Sequence, residues 1–189
     1  MNKDGNIIAA IKSFILLLLC MLSISANANE KEMRRIMVGL KLFPAVVAAD
    51  YQLANKKDEQ GYLPLYILYD DNPSLADDLA EHLTQIRTIK NIPVLVKVST
   101  FDEFINGKTP SSIAVFIAQP PNGKTHKVLL RATSSSILLF SPFKGDVEKG
   151  VHSGFIVSDR ILPYVNLKTM QQSGITLKAF FLRVSKRYE

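Results

Sequence analysis

The sequence predicts an α/β fold: a single domain with a mostly parallel sheet flanked by helices and an antiparallel C-terminal hairpin at its edge. Three observations carry that prediction. Short apolar runs such as Leu63 to Tyr69 alternate with helix-patterned segments, and that alternation implies parallel pairing through right-handed crossovers. Two later runs, Val151 to Ser158 and Ile161 to Asn166, stand too close together for a helical crossover and so pair as a hairpin around Asp159-Arg160. The length of 189 residues suits one ordinary domain once a leader is subtracted.

That leader comes first in the chain. Lys3 and Lys12 precede an apolar run from Phe14 to Ile24, and Ala26-Asn27-Ala28 follows it. A basic start, a short apolar core and a small-residue cleavage site are the parts of a secretory signal peptide cut after Ala28. The run falls short of the about 20 apolar residues that a membrane helix needs. Residues 1–28 are therefore read as a signal peptide, and 29–189 as one exported α/β domain with no membrane span. Leu18 and Leu19 before Cys20 do not suit a lipoprotein, so the chain's one cysteine belongs to the apolar run. The exported part then has no disulfide framework, no thiolate nucleophile and no cysteine-held metal. Lys3, Asp4 and Lys12 remove one charge, leaving +5 of the formal +6. Such an excess suits anionic head groups or an acidic partner surface, and export argues against nucleic acid.

Between Glu32 and Asn55 the apolar residues Met33, Ile36, Met37, Leu40, Phe43, Val47 and Tyr51 recur at helical spacing. Pro44 lacks a backbone donor, so a kink or a second helix is expected there. Residues 55–61 read as a loop, followed by the strand Leu63 to Tyr69. Asn72 caps a helix that has Pro73 in its first turn and buries Leu75, Leu79, Leu83 and Ile86. Val94 to Val98 is the next strand, and Thr100-x-x-Glu103 is a capping box for a short helix ending near Gly107. Ile113 to Ala118 is a third strand, Lys124 to Arg131 a helix, and Ile137 to Ser141 a fourth strand. Phe140 to Gly154 then breaks the alternation. Beyond the hairpin, Met170 to Ser173 ends a short helix stopped by Gly174, and a last helix carries Leu177, Phe180, Phe181, Val184 and Tyr188 on one face.

No complete catalytic set appears. Gly123-Lys124-Thr125 stands where a phosphate loop would, but Ala118 replaces its first glycine, and Pro120 and Pro121 remove amide donors. Asp70 and Asp71 end the first strand, where open α/β sheets bind ligands. With Ser99, Gln119 and Ser141 they outline a possible ligand crevice. No acid follows the third strand, so a receiver-type phosphorylation site is not formed. His82 and His126 have no partner at ligand spacing, and neither a metal nor a cofactor is expected. His152 follows Asp146, Glu148 and Lys149, and a triad could be drawn with Ser153 or Ser141, but no nucleophile elbow accompanies it.

The C-terminal third adds a different signal. Gly154-Phe155-Ile156 leads into Arg160 to Val165, then Asn166-Leu167 opens a helix, Ser173-Gly174-Ile175 breaks it, and Leu177, Phe180, Phe181, Leu182 and Val184 close the chain. In this order the residues resemble the YfiR family of small exported regulators. The roles agree with the chemistry: Gly154 admits close backbone approach, Asn166 caps, and Gly174 stops a helix. The resemblance implies a periplasmic inhibitor that docks on the outer domain of an inner-membrane signalling protein such as a diguanylate cyclase, with homodimerisation left open. Family members often carry a Trp-Pro pair and disulfide cysteines; this chain has no Trp and no cysteine beyond the leader.

The sequence thus reads as a non-enzymatic regulator. Its partner-binding residues are expected in the pivot at Phe143, Lys144, Asp146, Glu148 and His152, with Phe143 as an exposed apolar contact. The alternatives are a small-ligand binding module using the strand-end crevice and a hydrolase using His152.

Overall fold

A computed structural model describes residues 29–109 and 113–189, and the signal-peptide reading lies outside them. Residues 36–189 form one compact unit. The α/β prediction holds. One sheet of eight strands has the order β2-β3-β1-β4-β5-β6-β7-β8.

Helix α1 covers residues 29–48 without a break at Pro44. The expectation of a second helix starting at Pro44 is corrected: a proline removes one helical hydrogen bond, and burial of Ile36, Leu40, Phe43, Val46 and Val47 along one face outweighs it. A 3-10 turn, Leu53–Lys56, leads into β1, Leu63–Tyr69. Helix α2, Pro73–Thr84, starts where Asn72 Oδ1 accepts the Leu75 amide at 3.0 Å. Next come β2, Thr88–Ile89, and β3, Ile92–Thr100. This hairpin was not foreseen, and it turns at Lys90 and Asn91, which both take positive φ. Helix α3, Phe101–Ile105, carries the expected capping box. Strand β4, Ala114–Ile117, helix α4, Thr125–Ser134, and β5, Leu138–Phe140, complete the regular alternation.

β1 is buried on both faces, as a central parallel strand must be. Its alternate residues divide between two apolar layers. Leu63, Leu65 and Ile67 join Phe43, Ala76, Leu79, Phe116 and Phe140 on one face, where the rings of Phe43, Phe116 and Phe140 meet at 5.6–5.7 Å. Tyr66 and Leu68 join Phe101, Phe104, Val128 and Ala132 on the other. Helices thus cover both faces. β1 pairs in parallel with β3 on one side and β4 on the other, so the chain reverses its winding direction between β1 and β4.

The pivot proves to be a crossover. Residues 141–152 run as turns from β5 to β6, Ser153–Val157, and the two strands are parallel through the single pair Phe140↔Ser153. The expected hairpin follows, with β6 antiparallel to β7, Ile161–Asn166, and Val157 opposite Ile161 at its tip. Asn166 Oδ1 caps α5, Leu167–Gln172, by accepting the Thr169 amide at 3.0 Å, and Gly174 takes φ +65 just beyond the helix. The predicted long final helix is corrected. Only α6, Ala179–Val184, is helical, and Ser185 turns extended into β8, Lys186–Tyr188, which lies parallel beside β7. Of the residues read onto one apolar face, Leu177 and Phe181 are buried while Phe180, Val184 and Tyr188 are exposed, and the open edge of β7 offered the backbone beyond Val184 a ladder.

Candidate functional site: a filled switch point and a buried histidine

The reversal between β1 and β4 places Asp70, Asp71 and Gln119 together at the carboxyl ends of the strands, where α/β sheets take ligands. The space is occupied by the chain itself. Gln119 Oε1 accepts the backbone amides of Asp70, Asp71 and Asn72 at 2.9, 3.3 and 3.1 Å, and its Nε2 donates to Asp71 Oδ1 at 2.7 Å. Three consecutive amides converging on one oxygen form an anion-binding nest, and here its guest is a side-chain carboxamide. Lys124 Nζ lies 3.0 Å from both Asp70 Oδ1 and Asp102 Oδ2, and Asn122 Nδ2 donates to Asp70 Oδ2 at 3.3 Å. The Lys124 ammonium holds the Asp70 carboxyl below its usual range, with help from Asn122, and Asp70 in turn raises Lys124.

The lysine singled out in Gly123-Lys124-Thr125 therefore neutralises carboxylates. Sequence reading missed its partner Asp102, whose only visible role was as an acid in the first turn of α3. Replacing Gln119 with Ala should cost about 1 kcal/mol by orphaning the three amides, read as a lower urea midpoint. An unchanged midpoint would mean that water replaces the carboxamide without loss.

Ser99 and Ser141 do not enter the crevice chemistry. Ser99 Oγ donates to Glu103 Oε2 at 3.0 Å, and the Thr100 amide followed by Ser99 keeps the Glu103 carboxyl low. Ser141 is buried in the pivot, where its Oγ donates to Asp146 Oδ2 at 2.6 Å and accepts the Phe143 amide at 3.1 Å.

The pivot's own candidates divide by burial. Lys144 and Glu148 are exposed. Phe143 is half-buried and packs against both apolar layers, which corrects the expectation of an exposed contact. Asp146 is buried on Ser141 and within 3.6 Å of Lys149 Nζ. His152 is fully buried, so neither it nor Asp146 presents itself to a partner in this conformation. His152 Nδ1 accepts the Leu139 amide at 3.1 Å, which leaves the proton on Nε2 to donate to Ser173 Oγ at 2.6 Å. Burial, with a smaller contribution from Lys56, lowers its pKa to about 4. A triad histidine needs Nδ1 free to donate to an acid, so this ring is not set for one. Ser153 Oγ donates to Leu139 O at 3.3 Å instead. The pivot is further tied down by Asn166 Nδ2, which donates to Val147 O at 2.8 Å.

Elsewhere, a groove of about 390 Å³ opens at the amino-terminal strand ends, lined by Lys56, Lys57, Asp58, Glu59, Ile113, Ser135 and Ser136. Among the described residues no group of three His, Cys, Asp or Glu could hold a metal ion, and no helix is long and apolar enough to cross a membrane.

No family model and no curated protein matches the chain. Solved structures do. The ABC domain from Streptococcus pneumonia in complex with L-Trp aligns at TM-score 0.56 and 11% identity, over 79% of this chain and 60% of that one. A conserved domain protein from Vibrio cholerae aligns at 0.51 and 13%, over 71% and 57%. The ligand-free, open structure of CD0873, a substrate binding protein with adhesive properties from Clostridium difficile, aligns at 0.53 and 14%, over 80% and 58%. The chain spans about three fifths of the length of these structures, and at such identities the likeness is one of fold.

Proposed function

We propose that this chain is an exported, non-enzymatic binding protein of the YfiR type, which docks on the periplasmic domain of an inner-membrane signalling protein such as a diguanylate cyclase and restrains it. The observation that carries this reading is the filled switch point. The nest that would receive a small ligand's oxygen holds Gln119, and the nearby carboxylates hold Lys124, so recognition falls to the outer surface. The C-terminal pattern supports it, because Gly154, Asn166 and Gly174 each meet the demand that the resemblance assigns them. The fold shared with a substrate binding protein agrees with a binding role, and Lys144 and Glu148 remain exposed on the pivot for contact.

Removing the chain from its cell should raise cyclic diguanylate, and restoring it should lower the level again. An unchanged level, together with a metabolite that raises the chain's melting temperature, would replace regulation by small-ligand binding, since a ligand selective for the folded state stabilises it.

A further inference from the structure

The open flank of β8 combines three properties. Among the described residues it is the last strand of the sheet, so its outer amides and carbonyls have no ladder partner there. All three of its residues are exposed, and α6, which leads into it through Ser185, carries Phe180 and Val184, which are 52% and 57% exposed and four residues apart on one helix face. The flank is also strongly basic. Arg183, Lys186 and Arg187 stand on α6 and β8, and Glu189 is the one acid from Arg160 to the end of the sequence.

Charge decides the occupant. A second copy pairing β8 against β8 would set Lys186 and Arg187 against their own kind, and like charges across a strand pair are destabilising. A lipid surface would take up the charge and the apolar side chains while leaving the backbone edge unused. We propose that β8 receives an acidic extended strand from a protein partner, which adds to the sheet by main-chain hydrogen bonds. Lys186 and Arg183 then meet the partner's carboxylates, and Phe180 and Val184 meet its apolar side chains. This rests on the reading of the chain as a protein-docking regulator and names the docking edge.

The test uses the whole chain and a fluorescent, alternating glutamate-valine octapeptide, followed by anisotropy. The peptide should bind, with affinity falling as salt rises, while an alternating lysine-valine peptide should not. A fully N-methylated acidic peptide keeps its charge, loses its amide donors, and should also fail. The double variant Arg183→Glu, Lys186→Glu should weaken binding roughly tenfold with an unchanged melting temperature. Equal binding of the lysine peptide, or full affinity in the charge-reversed variant, would overturn the proposal. So would charge-dependent sedimentation with phosphatidylglycerol vesicles in place of peptide binding, or a chain dimer abolished by Lys186→Glu. If the cyclic diguanylate response survives charge reversal, the edge assignment falls and the regulatory reading stands. If the native chain binds the peptide but evokes no response, the reverse holds.

Discussion

Gly154→Ala is expected to destabilise the fold by about 3 kcal/mol, and Gly154→Val by more. A Cβ at this position would lie 2.5 Å from the backbone oxygen of Ser141 and 3.1 Å from Val147 Cγ2. Neither neighbour yields easily. The Ser141 amide donates to Ser153 O at 2.9 Å, and β5 and β6 are joined by the single pair Phe140↔Ser153, so separating the strands to make room would undo their seam. Gly123→Ala is the control. Gly123 faces open space with φ +73, so its cost is backbone strain alone, about 1 kcal/mol. Urea unfolding of the two variants should give clearly different midpoints. Equal losses would show that close approach is not what position 154 requires.

His152 should make stability fall as the solution is acidified. In the unfolded chain the imidazole takes up a proton below about pH 6.5, whereas in the fold it stays neutral until about pH 4. Between those values the unfolded state binds more protons, so stability rises with pH across that window and is fully present above it. The loss relative to neutral pH amounts to about 2 kcal/mol at pH 5 and approaches about 3 kcal/mol near pH 4. The physical cause is specific. A second proton on the ring would sit on Nδ1, facing the Leu139 amide that now donates to it, in a site without water access. His152→Leu should be less stable than the native chain at pH 7.5, because Leu139 N–H and Ser173 Oγ lose their partner. The difference between the two proteins should shrink as pH falls from 6.5 to 4. A constant difference across that range would show that the buried ring does titrate normally.

Much of the fold was legible because its signals are local. Leu63–Tyr69 is one unbroken apolar run, Asn72-Pro73 is a helix start, and Thr100-x-x-Glu103 makes two reciprocal hydrogen bonds within four residues. The hairpin was legible because the stretch between its two runs is too short for any other connection. Residues 88–92 and 185–188 were not. Their strands are short, and each forms because a neighbouring edge offers hydrogen bonds, which no local pattern records. At the site, Asp70, Asp71 and Gln119 were placed together correctly by the strand-end rule. That Gln119 and Lys124 would close the crevice depends on where their side chains reach, from β4's end and α4's start back to the end of β1.

By itself, then, the sequence determined the alternation of strands and helices, the caps and the hairpin, because each follows from spacing along the chain. Tertiary structure alone decided that the switch point is filled, that His152 is locked neutral between Leu139 and Ser173, and that the C-terminus ends as a basic edge strand. The physical reason is common to all three: each is a contact between groups distant in the chain, made favourable only once the sheet has brought them within hydrogen-bonding reach.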